Sequence, residues 1–426
     1  VKTVFKNNKL VLAVSTLILG VIVGMSSLLL ILLLDGVEQM FLNFQESMNH
    51  PAATATSPLH RLISVLAGGI IAALIWWILR GRFKPTVSIA TALKGKQMPF
   101  VQTIVHVMTQ IFYVGTGGSV GRELAPREAG AMFAQKWNKY LKKVGWSLSL
   151  EDQKLLVAAA AGAGFAGVYS APLTGMFFCV EILLHKITKK TVAVSLTMSI
   201  ISMLICLIVK GVDPYYLVGK QKFPLYFLVF VIIAAPICGI FGALFRLAFK
   251  RAGCNQTTDQ KILWQLPTAA LLTGLISLKF PQIMGNGRAL GQLAIGATNQ
   301  KVILLLLIGA LLKALVTTLT IRSGAAGGTL QPSISIGAAL GAVIGFGFKL
   351  FIPGITLWQC ALLGGCALVA ASQQAPLMAF FMIIEVAHLG FSAFVPLGLG
   401  VAFSIVVAES VLKKPELLKK GFKKTH

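Results

Sequence analysis

Long apolar runs follow one another along this chain, with short polar gaps between them. The first, 10–34, holds 25 residues without a charge, enough to cross a bilayer core of about 30 Å as one helix. Further runs lie near 62–79, 101–115, 155–184, 191–209, 225–245, 262–278, 302–321, 333–352, 359–386 and 391–412. Gly or Pro interrupts several of them, so the pattern predicts ten or more helical segments, not all of full length. The short alternating strands of a membrane barrel are not visible. The basic start and apolar run at the N-terminus also suit a secretory signal. The run is too long for a typical signal and no small-residue cleavage site follows, so a retained first membrane helix is expected.

Composition agrees: 56% of the 426 residues are hydrophobic and 12% charged, against about 25% charged in a soluble domain. The net charge of +25, from 38 Lys+Arg and 13 Asp+Glu, changes the picture through where it sits. Basic residues cluster at Lys2, Lys6 and Lys9, at "RGRFK" (80–84), at "KWNKYLKK" (136–143) and in the tail "KKPELLKKGFKKTH". The loop 35–60 has Asp35, Glu38 and Glu46 but no Lys or Arg. That asymmetry follows the positive-inside rule. It places this loop outside and both termini in the cytoplasm, with lipid rather than nucleic acid as the partner. A bacterial inner membrane suits it. The six cysteines (179, 206, 238, 254, 360, 366) lie mostly in apolar segments without metal-ligand spacing, and read as packing thiols.

The chain also repeats itself. "APLTGMFFCVEI" (171–182) and "APLMAFFMIIEV" (375–386) are alike, with Pro172 and Pro376, and Glu181 and Glu385, each 204 residues apart. "GRFKP" and "GNGRA" start at Gly81 and Gly285, the same spacing, and a third pair nearly matches: "GGSVGRELAP" ends at Pro126 and "GAAGGTLQP" at Pro332. The expected architecture is all-α and polytopic. One transmembrane domain spans 1–426, with repeat one over about 10–210, repeat two over about 225–412 and a basic cytoplasmic tail at 413–426. Interrupted helices at matching positions point to a transporter or channel. A broken helix leaves N–H groups unpaired at its positive end. At membrane depth such backbone survives only where it is buried in protein or lines a cavity, and there it can hold an anion.

These segments, with "AAGAGFAGVYSAPLTGMFFCVE" and "SGAAGGTLQPSISIGAALGAVIG", resemble the CLC family of chloride channels and anion/proton antiporters over roughly residues 10–418. The resemblance implies a CLC-type fold of two inverted-topology repeats with broken, tilted helices, a homodimer with one pore per subunit, and a bound halide. The family's filter stretches Gly-Ser-Gly-Ile-Pro, Gly-Arg-Glu-Gly-Pro and Gly-x-Phe-x-Pro would here be "GRFKP" (81–85), "GRELAP" (121–126) and "GTLQP" (328–332). Gly121, Arg122 and Glu123 match the gating-glutamate motif, with one inserted residue before Pro126. A carboxylate is a tethered monovalent anion, so Glu123 can compete with chloride, gate the path and carry a proton. The alternative is a structural Glu123 paired to Arg122 or Arg127. Thr329 and Leu330 would offer backbone N–H groups to the anion. A gapless count puts Arg82 at the filter serine, where it either binds the anion or extends to the cytoplasmic face with Arg80 and Lys84.

Other acids and histidines are expected to be secondary. Glu128 should pair with a nearby Arg, and His106, His185 and His388 read as packed or interfacial. The family's inner Tyr falls on Leu417, and Ile182 follows Glu181 where antiporters often carry an internal proton Glu. Chloride is the simplest cargo, a fluoride/proton antiporter the alternative, and an intramembrane enzyme a remote third. No nucleotide loop, catalytic triad or metal-ligand cluster is apparent, so neither catalysis nor a cofactor is expected. The short stretch after the last apolar run leads one to expect no cytoplasmic regulatory domains.

Overall fold

The computed structural model describes residues 8–146, 148–298 and 301–413. The expectations on Leu417 and on the basic tail beyond Lys413 lie outside the described residues. The first half forms α1 (Asn8–Leu42), α2 (Pro58–Arg82), α3 (Ile89–Leu93), α4 (Phe100–Gly115), α5 (Leu124–Lys143), α6 (Leu150–Tyr169), α7 (Pro172–Phe177) and α8 (Lys189–Lys210), with a π-helical turn at Phe178–Leu183. The second forms α9 (Phe227–Cys254), α10 (Ile262–Ser277), α11 (Arg288–Ile295), α12 (Lys301–Arg322), α13 (Leu330–Lys349), α14 (Leu357–Gln373), α15 (Pro376–Val386) and α16 (Phe394–Lys413). Among the described residues the only β pairing is an isolated bridge between Gly121 and Gly328. Among the described residues seven helical segments are long and apolar enough to cross a membrane, and five apolar helices are shorter.

The two most interior helices are α6 and α14. Every residue from Leu155 to Tyr169 and from Leu357 to Ser372 is buried, as expected of helices that are small and apolar all round. Close backbone approach makes this possible: a Cβ on Gly337 of α13 would lie 2.3 Å from the carbonyl oxygen of Gly364 in α14.

The 204-residue spacing recurs in the backbone. Ser170 ends α6 with φ 54° and Gln374 ends α14 with φ 56°. Each is a left-handed cap whose N–H closes on a carbonyl four residues back, Ala166 or Ala370, and stops the helix. Pro172 and Pro376 then open α7 and α15 from the position where a missing N–H costs nothing. These two helix starts are capped crosswise. The Glu385 carboxylate accepts the N–H groups of Leu173 and Thr174, both at 2.8 Å, and the Thr174 hydroxyl at 2.6 Å. Glu181 accepts those of Leu377 and Met378 at 3.0 and 2.8 Å. Phe177 and Phe381 stack between them with ring centroids 4.8 Å apart. Both acids therefore act as helix caps in trans.

Candidate anion site at the meeting of two broken helices

Two helices start at the Gly121–Gly328 bridge. Gly121 N–H donates to the Gly328 carbonyl at 2.8 Å, and Gly328 N–H to that of Gly121 at 2.7 Å. Just beyond the bridge Glu123 is the cap residue of α5, and Thr329 that of α13. The Glu123 side chain is fully buried. Rather than capping its own helix it lies at the start of the other: Leu330 N–H donates to Glu123 Oε1 at 2.7 Å. Oε2 has no hydrogen-bond partner.

Glycine is needed on both sides of this carboxylate. A Cβ on Gly328 would sit 2.0 Å from Glu123 Oε1, and one on Gly121 2.3 Å from Oε2. The bridge is thus a cradle closely fitted to the Glu123 carboxylate. A buried carboxylate oxygen without a donor is costly. The arrangement therefore holds Glu123 Oε1 by one hydrogen bond and a longer ion pair to Arg127, and leaves Oε2 unpaired.

Of the two arginines expected beside Glu123, only Arg127 pairs with it. Arg127 Nε donates to the backbone carbonyl of Glu123 at 2.6 Å, while its Nη2 is 4.0 Å from Oε1. Its guanidinium packs on Phe178, 4.8 Å from the ring centroid. Arg122 turns away from Glu123 and meets Glu46 at 3.3 Å. Arg82 is exposed at the C-terminal end of α2; the structure does not bring it to the cradle. Arg80 is the one that reaches inward, donating to the carbonyls of Thr257 and Gly324 at 3.1 and 2.8 Å. Thr329 is half-buried, and its hydroxyl accepts from Gln373 Nε2 at 3.3 Å.

Glu128 does not pair with an arginine, contrary to expectation. It accepts from Gln110 Nε2 at 2.7 Å and lies 3.5 Å from His106 Nε2. His106 Nδ1 accepts from Trp76 Nε1 at 3.1 Å, so this histidine is packed in a polar chain. His185 and His388 have φ of 51° and 47° and lie just after the π-helical turn and α15. Five cysteines are buried and Cys254 is exposed, all with free thiols.

Lys313 was missed. It lies within the apolar run 302–321 and is fully buried. Its Nζ donates to Ser119 Oγ, to the Ile283 carbonyl and to the Gly285 carbonyl at 2.8, 3.0 and 2.7 Å. It thereby fastens the loop before α5 to the turn before α11, within the electrostatic reach of Glu123. A lone charge in a membrane-length apolar run was the signal available for it.

An all-helical membrane fold whose broken helices meet around a glycine-cradled carboxylate defines a class of anion-pathway proteins. The model of the voltage gated chloride channel family matches residues 68–409, and the chain belongs to that family. It is 28% identical over 368 residues to the voltage-gated ClC-type chloride channel ClcB of Salmonella typhi, covering 82% of this chain and 84% of that one. It is 29% identical over 363 residues to the putative chloride channel protein ClcB-like of Ralstonia nicotianae, covering 82% of each. Among solved structures, a slow cyanobacterial Cl−/H+ antiporter matches with a TM-score of 0.77 at 22% identity, over 97% of this chain and 98% of that one. A CLC-type fluoride/proton antiporter matches at 0.66 and 19%, over 94% and 95%.

Proposed function

We propose that this protein moves chloride across a membrane through a pathway gated by Glu123. The observation that carries the reading is the single bond from Leu330 N–H to Glu123 Oε1, inside a glycine cradle that leaves Oε2 unpaired. When the carboxylate is protonated or displaced, the N–H groups at the start of α13 are free for a halide. Leu330 and Thr329 then bind the anion through main chain, and Arg122 and Lys313 supply positive potential nearby. Chloride is favoured over fluoride by the names of the ClcB relatives. The protein is a homodimer in this reading, with two inverted repeats per subunit. It sits in a bacterial inner membrane with both termini cytoplasmic and has no catalytic role. The crosswise caps of Glu181 and Glu385 support the repeats, and the acidic, Lys- and Arg-free stretch 35–60, the end of α1 and the loop after it, supports the orientation.

Proteoliposomes loaded with chloride or fluoride and a pH dye test the reading. Glu123→Gln should keep or raise anion flux and abolish any coupled proton movement, since an amide neither competes as an anion nor carries a proton. A folded Glu123→Gln protein that still moves protons with the anion, or that carries no anion at all, contradicts it.

A further inference from the structure

The loop joining α1 to α2 sends one acid back over the protein. The Glu46 side chain is 10% exposed, and two guanidinium groups converge on its Oε1: Arg122 Nη2 at 3.3 Å and Arg288 Nη1 at 3.2 Å. Arg122 immediately precedes Glu123, and Arg288 is the first residue of α11. Each half of the chain thus contributes one arginine, and each arginine stands at the start of a helix. Both are held rigidly. Arg122 packs against the rings of Tyr169 and Tyr215, 5.7 and 5.6 Å from their centroids, and Arg288 lies 4.1 Å from that of Tyr215. Arg288 Nε also donates to the Tyr215 carbonyl at 2.9 Å.

Two buried guanidinium groups share one oxygen of Glu46, while Asp35, Asp213 and Glu385 also line the cavity around them. Arg122 is 6% exposed, and its Nε has no hydrogen-bond partner. A cavity of about 280 Å³ opens here, lined by Glu46, Arg122, Arg288, Tyr215, Lys210 and Asp35. Burial by itself works to raise the Glu46 carboxyl, but Arg122 and then Arg288 outweigh it and hold it below the ordinary value. The occupant is therefore an ionised carboxylate. It is tethered at one end: the Glu46 N–H donates to Glu38 Oε2 at 2.8 Å, and the segment 43–57 around it is not helical.

We propose that Arg122 and Arg288 form a second small-anion site, outside the Glu123 cradle, and that Glu46 is a tethered stand-in which an entering monovalent anion displaces. This rests on the functional reading above. Two carboxylate plugs then bear on neighbouring residues, Glu46 on Arg122 and Glu123 in the cradle. A tethered competitor is always present at high local concentration, so removing it should tighten binding of the free anion by about tenfold.

The test uses the full chain. Chloride is titrated calorimetrically into detergent-solubilised wild type, Glu46→Gln, Glu46→Ala and Arg288→Gln. Flux is then measured in liposomes as chloride is varied on each side separately. Both Glu46 variants should bind chloride about tenfold more tightly and lower the half-saturating concentration only on the face carrying the 43–57 loop. Arg288→Gln should weaken binding. Bromide-soaked crystals of Glu46→Gln should show anomalous density between the two arginines. Should both Glu46 variants misfold, wild type at high bromide gives the same readout, and no density there overturns the proposal. Folded variants with wild-type affinity and half-saturation also overturn it, leaving Glu46 a loop fastener. A wild type that moves no anion overturns the functional reading and this one together. Wild-type flux that is insensitive to Glu46 overturns this one alone.

Discussion

Glu123 and Glu385 are both carboxylates brought from one half of the chain to a helix start in the other, yet they do different work. Glu385 uses both oxygens, takes three donors and has side-chain contact with Thr174. Glu123 uses one oxygen, takes one backbone donor and leaves the other oxygen unpaired. The first is a lock, because moving it would orphan three donors. The second is a plug in the proposed reading, because moving it breaks one hydrogen bond and one long ion pair, which an anion in its place would restore. The helix end is the same in kind; the count of satisfied partners separates structure from mechanism.

Breaking the lock should have the largest effect. Glu385→Ala leaves two N–H groups and a hydroxyl unpaired, at about 1–3 kcal/mol each. A loss of at least about 3 kcal/mol is expected in thermal unfolding followed in detergent. If Glu385→Ala is as stable as wild type while Glu123→Ala unfolds, the assignment of lock and plug is reversed. Next, Gly328→Ala puts a Cβ where Glu123 Oε1 sits. It should weaken chloride binding by about tenfold, or about 1.4 kcal/mol, by filling the cradle for carboxylate and halide alike. Unchanged affinity in a chloride titration would mean that the cradle is not the site.

Glu181→Ala should be milder than its counterpart, with a loss of at least about 2 kcal/mol against about 3, since Glu181 caps only two N–H groups and no hydroxyl. A loss equal to that of Glu385→Ala would show that hydroxyl contact adds nothing. The smallest effect belongs to Arg82→Ser. An exposed side chain at the end of α2 should change stability by less than about 0.5 kcal/mol and leave chloride and fluoride titrations alike. A shift in either affinity would return Arg82 to the pathway.

What could be read from the sequence was what is physically anomalous in a membrane chain. Gly, Pro and Glu at 117–130 stand out because lipid penalises them, and the 204-residue spacing of Pro172 and Pro376 stands out because it repeats. Glu123 was reachable that way, and Leu330 only through the resemblance of "GTLQP" to a filter stretch. Of the two readings open for Arg82, its exposed place at the end of α2 fits the one that extends it to the cytoplasmic face; a gapless count between motifs could not choose between them. The caps formed by Glu181 and Glu385 were hidden because each partner lies some 200 residues away. Arg122 was expected beside Glu123, but its partner Glu46 comes from a loop with no motif of its own. Lys313 lay in plain view inside an apolar run and was absorbed into it.

The central claim is that Glu123 occupies an anion's place. Crystals of Glu123→Gln soaked in bromide test it directly through anomalous scattering. A bromide peak within hydrogen-bonding distance of the Leu330 N–H, in the cradle of Gly121 and Gly328, is the result expected. A correctly folded Glu123→Gln with no bromide there would contradict the account.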